Sequence, residues 1–373
     1  ERQKELEKLY GEAPAFPPFT PTDYFVMGTV GLLAVITDVV MVGLPQGQWL
    51  ISNEGKRVPV GVLAKFIKQV HVDPNGVLER LCKVPFDISA TPGLATGMSP
   101  INHRLFSMGH DPSPLGFIMG MIDILNGGTT LINSRGILMH VPSDLPASAA
   151  KAALAPLLWL GHLISDVSTP MGLPAPGAVL TQLMTSRIPG LSPTTMMEDP
   201  TIAKLTYSMY LSGYDSRHYL ASGVVPSLIE ILIRNYVWLW EVDHLDDLDT
   251  TYWRLDGQQI TDARRHAKLK AMLFWTHAAA AAGNAGKIAL TASTPGANFF
   301  VGMRAFNRAQ WEMLILRMIQ VIMEANRDRT MEQIARNRQQ LNNMAELTTA
   351  LLTFTSMILQ TARLRKLSFK NNN

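Results

Sequence analysis

The side chains able to do chemistry gather in residues 100–177. The stretch opens with Asn102-His103-Arg104, continues with Gly109-His110-Asp111-Pro112, and closes with Gly161-His162-Leu163-Ile164-Ser165-Asp166. Nowhere else in the sequence do His and Asp collect between strongly apolar segments. Imidazole nitrogens and carboxylate oxygens together suit zinc, manganese or iron rather than calcium. His162 and Asp166 stand at i,i+4, so one helix face would carry both. His103 and His110 are seven apart. On an unbroken helix they would lie about 10 Å apart along the axis, too far for one ion. Gly109 and Pro112 are placed to break such a helix. His110, Asp111, His162 and Asp166, with or without His103, are the candidates for a nitrogen–oxygen metal site, and Asp111 is also the candidate catalytic carboxylate. A divalent ion held there with one open position would acidify bound water and hydrolyse an ester or phosphodiester.

The same residues have structural alternatives. Asp111-Pro112 fits an N-cap followed by N1 of a helix. Asp166 could end its own helix, and a histidine on an apolar helix is often a satisfied core residue. The site also bears a resemblance. His103-Arg104 followed by Gly109-His110-Asp111, then Gly161-His162-x-x-x-Asp166 leading to Thr169-Pro170 and Gly172, resembles membrane-associated metal-dependent hydrolases. Those carry an early His-Arg…His-Ser segment and a later His-x-x-x-Asp…Thr-Pro-x-Gly segment. The zinc-dependent phospholipase C group uses comparable helices bearing His and Asp. The resemblance covers at most residues 100–177, and here Asp111 replaces the usual Ser after the second His. It implies His103, His110, His162 and Asp166 as ligands and a phosphoester or lipid-like substrate. His110-Asp111 with a later Asp is also similar to HD-type phosphohydrolases, though the spacing differs.

The elements that must position these groups read as mainly helical. Apolar residues make up 47% of the 373 positions and charged residues only 17%, below the roughly 25% charge usual in soluble domains. Twenty methionines suit adaptable apolar packing. The expected fold is a mainly α, apolar helical bundle with one or two short β-hairpins, at 49–60 and 129–141. Its organisation reads as an N-terminal helix and Pro-rich arm (1–21), a helical core domain (22–325) holding the His/Asp centre, and a C-terminal helix (326–373). Val167–Pro200 is dense in Pro, Gly, Ser and Thr and reads as an ordered loop or lid. Residues 25–44 form the most apolar stretch, about 30 Å long as a helix, and Asp38 interrupts it. The stretch suits a core helix or a membrane-inserted one. Residues 347–359 carry no charge and run into Arg363, Arg365 and Lys366.

Other signals are weaker. Charge is balanced, 33 basic against 30 acidic residues for a net +3, so nucleic acid is not an expected partner. Cys82 is the only cysteine, which excludes an intrachain disulfide and a multi-cysteine zinc site. Gly283-Asn284-Ala285-Gly286-Lys287 lacks the first Gly and the Ser/Thr of a P-loop. The acidic run from Asp243 to Asp249 lacks calcium-loop spacing. Two functions from different classes remain. One is a metal-dependent hydrolase. The other is a non-catalytic helical module docking on a membrane or on partner chains through 25–44 and 347–366, with self-association left open. The sequence leaves open whether the chain is an enzyme. Cytoplasmic or membrane-associated placement suits both.

Overall fold

A computed structural model of the chain describes residues 19–44, 61–87, 98–188, 200–243, 255–293 and 299–326, apart from isolated positions within these stretches. The expected hairpin at 49–60, the N-terminal helix and arm up to residue 18, and the apolar and basic segment 347–366 lie outside the described residues. By contacts the chain divides into two compact units. One comprises Glu1–Thr20, Val237–Met272 and Leu316–Asn373, the other Pro21–Tyr236 and Leu273–Ile315. All the candidate site residues belong to the second.

The protein is mainly α-helical, with one short hairpin among the described residues, as its composition and apolar spacing predict. Helix α1 (Pro21–Thr37) continues into a π-helical turn over Asp38–Val42. Short helices α2 (Val62–Gln69), α3 (Val77–Leu81) and α4 (His103–Phe106) follow. A 3-10 turn at Met108–His110 leads to α5 (Pro114–Asn126). Strands β1 (Gly128–Ile132) and β2 (Leu138–Pro142) pair antiparallel, with Gly128 opposite Pro142 and Ile132 opposite Leu138. Next come α6 (Ala149–Ala153) and α7 (Ala155–Val167). A 3-10 turn (Val179–Leu183) precedes α8 (Ile202–Leu211), α9 (Ser216–Ser222), α10 (Val224–Asp243), α11 (Leu255–Ala292) and α12 (Phe299–Met303). A further helical run covers 308–323.

Local chemistry explains the boundaries that matter for the site. Ser113 caps α5 by accepting the Gly116 N–H, and Pro114 takes the first helical position, where its missing N–H costs nothing. The cap thus falls two residues beyond Asp111-Pro112, and Asp111 is free for another task. Gly127 ends α5 with φ 67°, ψ 36°, a left-handed conformation that glycine adopts without Cβ strain. The chain then turns straight into β1. Asp123 ties the two together, accepting the Thr130 N–H at 2.9 Å and the Thr130 hydroxyl at 2.7 Å. Every residue of β1 is buried.

The long apolar helices of this unit bury a mixed face, apolar at Met27, Val30, Ala34, Ile229 and Ile233 with a few polar groups between, and leave further apolar side chains exposed. Asp38, in the middle of the apolar stretch, is buried. Its carboxylate accepts Asn284 Nδ2 and Asn307 Nδ2, each at 2.8 Å, and pairs with Lys287 Nζ at 3.1 Å. Lys287 also donates to the Gly43 carbonyl at 2.8 Å. Asp23 accepts from the Tyr236 hydroxyl at 2.9 Å. Buried His277 pairs with Glu230, and Gln310 donates to the His277 carbonyl. Meanwhile Phe25 and Leu32 on α1, and Val39 and Val40 on the π-helical turn, are more than half exposed. Two helical runs, Pro21–Val42 and Ser216–Leu239, are long and apolar enough to cross a membrane.

The Asp38 seam yields a stability prediction. Replacing Asp38 by Ala strands a buried ammonium and two amides, which costs about 3–5 kcal/mol when one member of a buried pair is removed. Denaturant unfolding should show that loss for Asp38→Ala and a smaller one for Asp38→Asn. An unchanged midpoint for Asp38→Ala would mean the seam does not hold α1.

Candidate metal centre

Three elements bring the chemical groups together. Helix α7 carries His162 and Asp166 on one face, as their spacing demands. The 3-10 turn at Met108–His110 breaks away from α4 and delivers His110. The loop after α3 delivers Phe86 and Asp87. Cys82, at the end of α3, packs so closely on α7 that a Cβ on Gly161 would lie 2.4 Å from its sulfur. That contact, next to His162, fixes where the loop begins.

His110 Nε2 and His162 Nε2 face each other at 3.3 Å, and both side chains are fully buried. Asp166 Oδ2 lies 3.4 Å from His110 Nε2 and 3.5 Å from His162 Nε2. These three atoms form a nearly equilateral triangle. Ligands at about 2.0–2.1 Å from one tetrahedral ion stand about 3.3–3.4 Å apart, so the triangle has the right size for one face of such a shell. Asp87 makes a second trio with the two imidazoles, with donor atoms all within 4.8 Å of one another. The triangle with Asp166 is the tighter of the two. Asp87 is the more exposed carboxylate, at 17% against 2% for Asp166.

Packing holds the rings in place. Phe86 meets His110 and His162 edge-on, with centroids 5.0 and 5.5 Å away. His103 lies edge-on to His110 at 5.3 Å. Gly109 is needed here, since a Cβ would sit 2.6 Å from the Phe86 ring. Trp159 donates from Nε1 to the Gly109 carbonyl at 2.9 Å, pinning the turn to α7.

Electrostatics favour the ligand forms. Burial first, then the neighbouring His162, His103 and Arg104, hold His110 well below the usual imidazole range, so its ring is neutral. Burial alone would raise the Asp87 carboxyl. The neighbouring His103, His162 and Arg104 outweigh it and keep Asp87 below the ordinary carboxylate range. Arg104 grips Asp166 with both arms, Nε to Oδ2 at 2.8 Å and Nη2 to Oδ1 at 3.0 Å. Burial opposes its charge, but the Asp166 carboxylate more than compensates.

His110 Nδ1 and His162 Nδ1 have no hydrogen-bond partner among the described residues. At most one of the facing Nε2 atoms can donate to the other, so each ring leaves polar capacity unmet. A divalent ion among Nε2, Nε2 and Oδ2 would satisfy the facing lone pairs, and the donor set of nitrogen and oxygen suits zinc, manganese or iron.

Of the residues singled out in the sequence, His110, His162 and Asp166 converge. His103 is adjacent, but its Nε2 faces Asp87 at 3.6 Å. Asp111 is turned elsewhere: its Oδ1 accepts the Gly177 N–H at 2.7 Å. Burial raises the Asp111 carboxyl, although the Gly177 N–H, Ser113 and Arg308 act against that rise. Asp87, Phe86 and the grip of Arg104 were not foreseen. Asp87 sits in a loop-rich stretch where spacing carries no geometric signal, and Arg104 needed the position of Asp166. Comparison with family models, with curated proteins and with solved structures finds no match for this chain.

Proposed function

We propose that the chain is a metal-dependent hydrolase acting on phosphoester or lipid-like substrates. The observation that carries this reading is the triangle of His110 Nε2, His162 Nε2 and Asp166 Oδ2, closed to 3.3–3.5 Å in a fully buried setting. The two imidazoles are nitrogen donors and Asp166 an oxygen donor whose position Arg104 fixes. Bound there, zinc, manganese or iron would act as a Lewis acid and acidify a coordinated water. Asp87 and Arg104 are the more exposed members of the group, so substrate approaches from their side. The Arg104 guanidinium there favours an anionic ester. Asp111, given a catalytic role on sequence grounds, holds the Gly177 loop in this account.

A second reading has its own observation. The two membrane-length helical runs and the outward apolar face of α1 suit a module that docks on lipid. On α1 both acidic residues, Asp23 and Asp38, are buried and hydrogen-bonded inward. The two functions are compatible, since a lipid-like substrate lies at the same surface.

Metal content tests the first reading. Chelator-treated protein should take up about one equivalent of zinc or manganese and then hydrolyse bis(p-nitrophenyl) phosphate. His162→Ala should lose uptake and turnover while keeping its helical circular dichroism. Uptake unchanged in His162→Ala would place the ion elsewhere.

Vesicle flotation tests the second. Native chain should float with liposomes, and the double change Phe25→Lys with Leu32→Lys should stay in the soluble fraction with an unchanged helical spectrum. Flotation of the double variant would remove α1 as the docking face.

A further inference from the structure

Two consecutive residues of α4 address the two carboxylates of the site separately. Arg104 binds Asp166 through two hydrogen bonds. His103 turns Nε2 toward Asp87 Oδ1 at 3.6 Å, an ion-pair rather than a hydrogen-bond distance. Neighbouring residues on a helix project about 100° apart, so the pair straddles the site and reaches its opposite sides. The start of α4 is itself pinned. Asn102 Oδ1 accepts the Ser99 N–H at 2.6 Å, and Asn102 Nδ2 donates to the Tyr207 hydroxyl at 2.9 Å. The His103 ring is buried and packed edge-on to His110, which leaves it little freedom to swing.

The nitrogens differ in what they face. His110 and His162 aim Nε2 at each other and at Asp166, whereas His103 aims Nε2 at a carboxylate. An imidazole presented to a carboxylate in this way orients the carboxylate and shares its charge. Groups of this kind next to a metal shell usually alter affinity about 10–100-fold without being ligands. Resting on the metal reading above, we propose that α4 is the positioning element of the centre. His103 holds Asp87 and Arg104 holds Asp166, the two carboxylates supply the oxygen donors, and His103 itself is not a ligand. Each carboxylate then shares its charge with a cationic or N–H donor, so a bound divalent ion keeps more of its positive charge for an anionic substrate.

Cobalt(II) separates ligands from positioning groups, because its visible spectrum reports the number and kind of donors directly. The full chain, stripped with chelator, is titrated with Co2+ and then with Zn2+ in competition. His103→Ala should keep the wild-type cobalt spectrum and bind about 10–100-fold more weakly. His103→Gln, which retains an N–H toward Asp87, should recover most of that loss. Arg104→Ala should also weaken binding without changing the donor count. Asp87→Asn and His162→Ala should change the spectrum or abolish uptake. The proposal is overturned if His103→Ala alters the spectrum as His162→Ala does, which would make His103 a ligand. Unchanged affinity in His103→Ala, or an unchanged spectrum and affinity in Asp87→Asn, overturns it as well. Wild-type protein that binds neither Co2+ nor Zn2+ would instead remove the metal reading itself, and the proposal with it. Should His103→Ala fail to fold, His103→Gln alone carries the test. Its spectrum must match wild type, and a changed one counts against the proposal.

Discussion

Two imidazole nitrogens facing each other at 3.3 Å inside a dry core are the constraint on which the rest of this unit turns. Lone pairs so close repel unless a proton or a cation lies between them, and burial removes the water that would otherwise relieve the conflict. The surrounding structure holds the conflict in place rather than relaxing it. Trp159 ties the His110 turn to α7, Phe86 wedges against both rings, and a side chain at Gly109 would displace that wedge. Arg104 then places the Asp166 oxygen at the third corner. A polar cluster this buried is costly when incompletely satisfied, and on the proposed reading a divalent ion would complete it.

The same logic of inward polarity runs through the long helices. Asp38 in the most apolar stretch would be prohibitive alone, and it is met by two amides and an ammonium. The π-helical turn begins at Asp38, and Lys287 reaches both the Asp38 carbonyl and the Gly43 carbonyl at its end. Along α1 apolar side chains lie on both faces, Met27, Val30 and Ala34 buried and Phe25 and Leu32 exposed.

How much was legible beforehand depended on the range of each signal. The pair His162 and Asp166 needed only helical periodicity, and the break between His103 and His110 followed from Gly109. The hairpin at 129–141 was readable from its turn residues and appears as β1 and β2 over 128–142. The cap of α5 was misplaced because Asp111-Pro112 and Ser113-Pro114 offer the same chemistry two residues apart, and the helix used the second. Asp111 was given a catalytic role by its neighbour His110, but adjacent residues leave a turn in different directions, and its carboxylate went to Gly177. Asp87 could not be found at all. Its approach to His110 is a long-range contact set by Cys82 against Gly161 and by Phe86 against the rings, and no local pattern encodes it.

The most direct test of this account is X-ray absorption at the zinc edge of the zinc-loaded full chain. The account predicts one zinc per chain with a first shell of two imidazole nitrogens and two or more oxygens at about 2.0–2.2 Å, without sulfur. An all-oxygen shell, a sulfur contribution from Cys82, or a single imidazole would contradict a centre built on His110, His162 and Asp166.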